Sequence, residues 1–327
     1  MKILVTGGAG YIGSHAVVQL LDQGYEVVVV DNLSTGHRWA IDERAPFIKG
    51  DIRNHRLMDE IFEGEKIDAV MQFAADIVVT ESETDPLKYY DNNVYGTVAL
   101  LQSMLKHNVK NIIFSSTAAV YGNTEAVPVT EDIPVTPISP YGRTKALVEQ
   151  ILEDCHRAYE LNYCVFRYFN VSGAHEKYPI GQAVKHNTAL IPIILEVAAG
   201  EREAVQVFGN DYPTKDGTGV RDFIHVVDLV DAHILGLDKL FRNESAIYNL
   251  GNGQGFTVME MIEAARKVTG HPVSAIITDR RPGDIAISIA SSEKAKQELG
   301  WEPKYQEVEK IIETAWKFKQ SRHEKED

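Results

Sequence analysis

Through the first half of the chain, short apolar runs alternate with stretches whose apolar positions recur every three or four residues. The first run is Ile3, Leu4 and Val5, closed by Thr6 and a glycine cluster. A run that short, bounded by glycine, predicts a buried parallel strand. Ile12, Ala16, Val17, Leu20 and Leu21 follow at helical spacing, and Gly24 ends that helix. A second run ends in Asp31. Further strands are predicted near 47–48, 69–73, 111–115 and 163–167, with helices near 57–62, 86–107 and 141–159. The alternation predicts an α/β fold, a Rossmann-type doubly wound parallel sheet with helices on both faces. Beyond Arg167 it loosens. A helix over 190–199, a strand over 205–209, a long turn over 210–219 and a strand and helix led in by Arg221, Asp222 and Phe223 predict a smaller C-terminal α/β lobe.

In such sheets ligands bind beyond the carboxyl ends of the strands, so those positions carry the candidate chemistry. After the first strand the glycines fit two spacings, G-x-G-x-x-G on Gly8, Gly10 and Gly13, and G-x-x-G-x-x-G on Gly7, Gly10 and Gly13. A turn without side chains lets the backbone approach a pyrophosphate, and the following helix N-terminus offers N–H groups and a positive dipole end. Asp31, roughly 20 residues on, sits where an acid accepts a bond from an adenosine ribose. Its charge favours NAD over NADP, although Arg38 is close enough in sequence to serve a 2′-phosphate. The plain alternative is a turn that only packs a helix on a sheet. Asp51 is a candidate acceptor for an adenine amino group, or a solvated loop acid. Ala74 and Ala75 leave room for a cofactor.

The strand at 111–115 runs into Ser116 and Thr117, hydroxyls at a central strand end. Ser139 and Pro140 then predict a helix start. Tyr141 and Lys145, four apart, share one face of that helix. Tyrosine has a pKa of about 10, and to act as a base near neutral pH it must fall by about three, or about 4 kcal/mol. One ammonium at about 4 Å supplies that order at an effective dielectric of about 20. Lys145 and a positively charged nicotinamide therefore suffice in magnitude.

Composition narrows the partners. A formal net charge of −14 argues against nonspecific nucleic-acid binding. It also requires arginines to be concentrated locally wherever an anion binds; Arg221 and Arg281 are candidates. Cys155 and Cys164 are expected as reduced thiols. No cysteine–histidine cluster has metal spacing, so no metal is expected. The chain opens directly into a strand and contains no apolar run of membrane-spanning length, so no membrane partner and a cytoplasmic location are expected.

The stretches GGAGYIGSH, VVDNLS, KGDIRN, YYDNNVYGT, FSSTAAVYG, SPYGRTK, RYFNVSGAH, FGNDYPTKDGTGVRDFIHV, YNLGNG and RRPGDIA resemble the UDP-sugar 4-epimerases of the extended short-chain dehydrogenase/reductase family over essentially the whole length. The resemblance implies a tightly held NAD and interconversion of UDP-galactose and UDP-glucose through a 4-keto sugar. It implies a cofactor site of Gly7, Gly10, Tyr11, Ile12, Asp31, Asn32, Ser34, Asp51, Ile52, Phe73, Ala74, Asn92, Ser115, Tyr141, Lys145 and Tyr168. Thr117, Tyr141 and Lys145 would be the catalytic set, with Thr117 and Tyr141 on the sugar. Asn170, Leu190, Phe208, Arg221, Arg281 and Asp284 would hold the UDP part, and Ser288 would border the sugar. The implied domains are an NAD-binding one over 1–171, rejoined by about 222–246, and a UDP-sugar lobe over most of 172–327. A homodimer through the helices near 86–107 and 141–159 is implied as well.

Some positions depart from the family pattern. Gln72 replaces a histidine, Ile77 a lysine found in some members, and Phe223 a tyrosine. Ala189 replaces an asparagine or histidine, loop 181–189 lacks the usual acidic and proline residues, and Ser288 stands where some members carry tyrosine. A small residue there leaves space for an N-acetyl group, so UDP-N-acetylhexosamines are expected as further substrates. Two competing readings remain. A nucleotide-sugar dehydratase or decarboxylase would need an acid after Thr117, where Ala118 and Ala119 stand. A non-catalytic NAD-binding protein would have no use for the Thr117–Tyr141–Lys145 set.

Overall fold

The structure, a computed structural model, describes every residue except Lys185, His186, Pro282 and Asp327. Two of these fall in the expected loop 181–189, and Pro282 falls in the late basic turn. The chain divides into two compact units, one of residues 1–122, 134–167 and 230–248, the other of 123–133, 168–229 and 249–327. The early excursion over 123–133 has no signature in the hydrophobic pattern.

The order begins β1 (Lys2–Thr6), α1 (Tyr11–Asp22), β2 (Glu26–Asp31), β3 (Phe47–Lys49), α2 (His55–Gly64), β4 (Ala69–Gln72), α3 (Val79–Thr84), α4 (Pro86–Tyr89), α5 (Gly96–Lys106), β5 (Asn111–Thr117), α6 (Pro140–Tyr159) and β6 (Asn162–Tyr168). It continues β7 (Asn170–Ser172), α7 (Leu190–Ala198), β8 (Val205–Phe208), β9 (Val220–His225), α8 (Val226–Phe241), β10 (Ala246–Leu250), β11 (Gly255–Thr257), α9 (Val258–Thr269), β12 (Ala275–Thr278), β13 (Ile287–Ser288), α10 (Glu293–Leu299) and α11 (Val308–Glu326).

Seven strands form the main sheet in the order β10-β6-β5-β4-β1-β2-β3. From β3 to β5 neighbouring strands run parallel, with Val5 beside Val29 and Met71. Both faces are covered, which is why β1 and β2 read as unbroken apolar runs: Ile3 to Val5 and Val27 to Val30 are all buried. Leu4, Val70, Leu100, Ile112, Val148 and Val165 share one core cluster.

Local signals set the helix ends. Ser139 accepts from the Gly142 N–H at 3.1 Å and Pro140 occupies the first turn of α6, as its sequence predicts. The expected helix over 86–107 is corrected in its middle. Between α4 and α5, Tyr90–Tyr95 is a π-helical segment. There Asn93, buried, bonds both backbone groups of Asp76, at 2.9 and 3.0 Å.

The second unit is built of shorter strands. β9 is the centre of a sheet with β11, β13 and β7, while β8 pairs with β12. Arg221, Asp222 and Phe223 lie inside β9 rather than ahead of it. Its core gathers α7, α9 and α11 around Phe223. A hydroxyl at the buried position of Phe223 would need a partner there, which the phenyl ring avoids. Among the described residues no helix is long and apolar enough to cross a membrane.

Candidate active site

The glycine turn after β1 resolves the choice of spacing. Gly7 has φ of +73°, and a Cβ there would come within 2.6 Å of the Ala74 backbone. A Cβ on Gly13 would lie 2.2 Å from the Gly7 carbonyl, and the Gly10 N–H donates to that same carbonyl at 3.1 Å. Gly7, Gly10 and Gly13 therefore make the turn, while Gly8 backs onto Val29. Helix α1 starts at Tyr11 and Ile12 with no side-chain cap from Gly10. A twelve-residue helix thus presents an uncapped N-terminus at a turn that side chains would fill, the form a pyrophosphate cradle takes.

Asp31 ends β2 buried, accepting from the Ala9 N–H at 3.0 Å and the Leu33 N–H at 2.7 Å. It locks the turn as well as standing at the strand end. Arg38 lies over the Phe47 ring at 5.0 Å. Asn32 accepts from the Ser34 N–H at 2.9 Å and donates to Asp51 at 3.0 Å. Asp51 is no solvated loop acid: Arg53 grips both of its oxygens, at 2.9 and 2.7 Å. Those bonds above all hold its carboxyl down at about 2. The Ile52 side chain is in the core.

At the end of β4, Gln72 is a junction. Its Oε1 accepts from the Thr6 hydroxyl and the Ala74 N–H, both at 2.7 Å, and its Nε2 donates to the Ala74 carbonyl and the Thr97 hydroxyl, both at 3.2 Å. Phe73 follows, its N–H on the Thr6 carbonyl at 2.9 Å. Asn92 bonds Asp76. Asn93 donates to the Thr144 hydroxyl at 3.2 Å, and that hydroxyl donates to the Tyr141 carbonyl at 2.7 Å. The amide junctions at Gln72 and Asn93 thus tie the glycine turn to helix α6.

Thr117, Tyr141 and Lys145 come together where β5 meets α6. Tyr141 is buried, and its hydroxyl bonds the Thr117 side chain. The Tyr141 N–H donates to Ser82 at 3.2 Å, and Tyr89 meets its ring edge-on, 6.5 Å between centroids. Lys145 is buried with Nζ donating to the Ser115 carbonyl at 2.8 Å. The electrostatics correct the sequence expectation. Burial pushes the Tyr141 hydroxyl up to about 12, the Thr117 bond opposing, and pulls the Lys145 ammonium down to about 7, the Glu149 charge opposing. Both polar groups lose water together, so the pair alone does not bring the phenol into the working range.

In the second unit, Arg221, Arg281, Asp284 and Phe208 form one cluster. Asp284 lies 3.8 Å from Arg221 and accepts from Arg281 Nε at 3.0 Å. The Arg281 guanidinium stands over the Phe208 ring at 4.5 Å. Two guanidiniums around one carboxylate leave a positive charge, suited to a pyrophosphate. Ser288 is in register with Arg221 across the parallel β13–β9 pair. Asn170 opens β7 and donates to the Asp222 carbonyl at 2.8 Å. Tyr168 ends β6. Leu190, the first residue of α7, packs against the helical core of this unit and is not part of the arginine cluster.

Sequence reasoning missed Ser82, Asn93 and Thr144, and it passed over Glu149 and Arg167. Glu149 is four residues beyond Lys145, a spacing that signals a shared helix face.

Comparison with known proteins gives consistent results. The family model for the NAD dependent epimerase/dehydratase family matches residues 3–251. A UDP-glucose 4-epimerase of Lacticaseibacillus casei is 51% identical over 325 residues, covering 99% of this chain and 98% of the relative. Among solved structures, UDP-glucose 4-epimerase from Bifidobacterium longum in complex with NAD+ and UDP superposes with a TM-score of 0.94 at 42% identity, covering 99% of each chain. The UDP-Glc/GlcNAc 4-epimerase from Campylobacter jejuni gives 0.87 at 44% identity, covering 98% of this chain and 99% of that one.

Proposed function

We infer the reaction from one premise: the chain belongs to the NAD dependent epimerase/dehydratase family. It is an isomerase that interconverts UDP-galactose and UDP-glucose. The observation that carries the chemical reading is the Thr117–Tyr141–Lys145 set at the end of a central strand.

NAD is the cofactor. The Gly7–Gly10–Gly13 turn and the open start of α1 suit its pyrophosphate, and Asp31 suits an unmodified ribose. Asn32, Ser34, Asp51, Ile52, Phe73, Ala74, Asn92, Ser115 and Tyr168 complete the proposed contacts. When bound, NAD supplies a two-electron acceptor that takes the carbon-4 hydride and returns it. Tyr141 takes the proton of the 4-hydroxyl and later gives it back, as general base and then acid. Thr117 holds that hydroxyl in line. Lys145, charged, lowers the phenol of Tyr141 towards neutrality, a task that a cationic nicotinamide shares. The 4-keto sugar turns over and is reduced on its other face. Arg221, Arg281 and Asp284, with Asn170, Leu190 and Phe208, hold the UDP part while the sugar turns.

Ala118 and Ala119 provide no acid to expel water from the keto sugar, which favours epimerisation over dehydration. Ser288, small where some family members carry tyrosine, leaves room for a 2-acetamido group, so the N-acetyl pair is a further substrate of this reading. A homodimer is supported by exposed apolar side chains on α4 and α6, Leu87 at 78% and Leu147 at 38%. The test is the product spectrum on UDP-glucose, UDP-galactose and their N-acetyl forms. Epimers are expected; dehydrated or decarboxylated products, or none, overturn the reading.

A further inference from the structure

Beneath the catalytic set lies a buried charge network that the reaction as described does not use. On α6, Tyr141, Lys145 and Glu149 follow one another at four-residue intervals and so line one face. Glu149 and Arg167 are each about 5–6% exposed. Arg167 Nε lies 3.1 Å from both Glu149 oxygens and its Nη2 lies 2.5 Å from Oε2. The Ser116 hydroxyl donates to Oε1, and Arg167 Nη1 donates to the Tyr121 hydroxyl at 2.9 Å. Glu149 therefore accepts from β5 on one side and β6 on the other.

The arithmetic of charge gives it a second task. Two cations, Lys145 and Arg167, are buried with one anion. Two unpaired cations in a dry site would drive the stronger acid of the two, the lysine ammonium, to lose its proton. We propose that Glu149 is a positioning residue for the reaction: locked by Arg167 and Ser116, its carboxylate keeps the Lys145 ammonium charged and directed at the Ser115 carbonyl. Of the surrounding charges, Glu149's acts on Lys145. On the elements packed against α6, Glu81 of α3 bonds Lys88 and Tyr89 of α4, and Asp91 of the π segment bonds Arg53. Phe114 of β5 presents its ring to Lys145 at 4.9 Å, and Tyr121 faces Arg167. The inference rests on Lys145 acting in the proposed reaction.

The experiment is the pH profile of kcat for UDP-galactose on the enzyme as purified, with folding checked by thermal melting. Activity that needs a charged Lys145 falls as pH rises through its titration. Glu149→Gln removes the supporting anion, so the alkaline limb should move down by about one pH unit or more. Arg167→Gln leaves Glu149 uncompensated, so the limb should move up. A pair that serves only packing lowers kcat in both variants without moving the limb, and limbs that stay or move together overturn the proposal. If either variant does not fold, Ser116→Ala decides. Losing that donor leaves the carboxylate less compensated, so an upward shift supports the role and a fixed or lowered limb overturns it. A wild-type enzyme that interconverts nothing removes the proposed reaction and this role together.

Discussion

The two units treat charge in opposite ways. In the first, Lys145, Glu149 and Arg167 are buried among β5, β6 and α6, and each polar atom is assigned a partner. In the second, Arg281 is half exposed, Arg221 less so, and the two share Asp284 on a short turn. A proton-transfer site benefits from fixed dipoles in a dry place, because they need not reorganise as charge develops. A site that captures an anionic nucleotide from solution benefits from cations that reach water and steer it, above all on a protein of net charge −14. Damage to the first unit should therefore appear in kcat and damage to the second in KM.

The largest effect is expected from Tyr141→Phe. Removing the acid–base group should lower kcat by about 10²–10⁴-fold while bound nucleotide and melting temperature are kept. Turnover within tenfold of wild type would take the role from Tyr141. On the other side of the comparison, Arg281→Ala removes a charge-assisted contact worth about 1.5–3 kcal/mol. KM for UDP-galactose should rise roughly 10–100-fold with kcat little changed. A fall in kcat alone would contradict the division of labour.

A smaller, selective effect is expected at Ser288. Ser288→Tyr should keep UDP-glucose turnover and lose the N-acetyl pair by about tenfold or more, on the order of 1.4 kcal/mol. Wild type without N-acetyl turnover, or a variant that keeps it, would show that this position does not set specificity.

The smallest effect concerns the Asp51–Arg53 pair. The Asp51 carboxyl is held below its unfolded value of 3.8, at about 2, so its contribution is present above about pH 4 and is lost as pH falls through 2. Both side chains still reach water, Asp51 at 27% and Arg53 at 34% exposure, so screening leaves about 1 kcal/mol or less. Arg53→Gln should lower stability by that amount at pH 7, with the gap closing below pH 4. A gap that widens in acid would reverse the sign of the account.

Legibility followed the same division. β1, β2 and β5 could be read because a strand covered on both faces is a continuous apolar run, and Asp31 and Thr117 because their strands end there. The glycine register could not be decided from spacing, since Gly7 and Gly8 both fit; the positive φ of Gly7 and its approach to the Ala74 backbone separate them. Gln72 and Asn93 were opaque because their partners lie 25 and 51 residues away at Thr97 and Thr144. Tyr141 and Lys145 were found by spacing, but their titration was misjudged, because a sequence records the neighbouring charge and not the loss of water. In the second unit the arginines stood out by charge. Their shared carboxylate, Asp284, was named by resemblance and not by pattern.

The central claim is that the carbon-4 hydrogen leaves the sugar and returns within one active site, with Tyr141 moving only the hydroxyl proton. The direct test is to convert UDP-galactose with the purified protein in deuterium oxide, without added cofactor, and to examine carbon 4 of the product by NMR. The account predicts UDP-glucose with protium retained at carbon 4. Deuterium at that carbon, or no UDP-glucose, would contradict it.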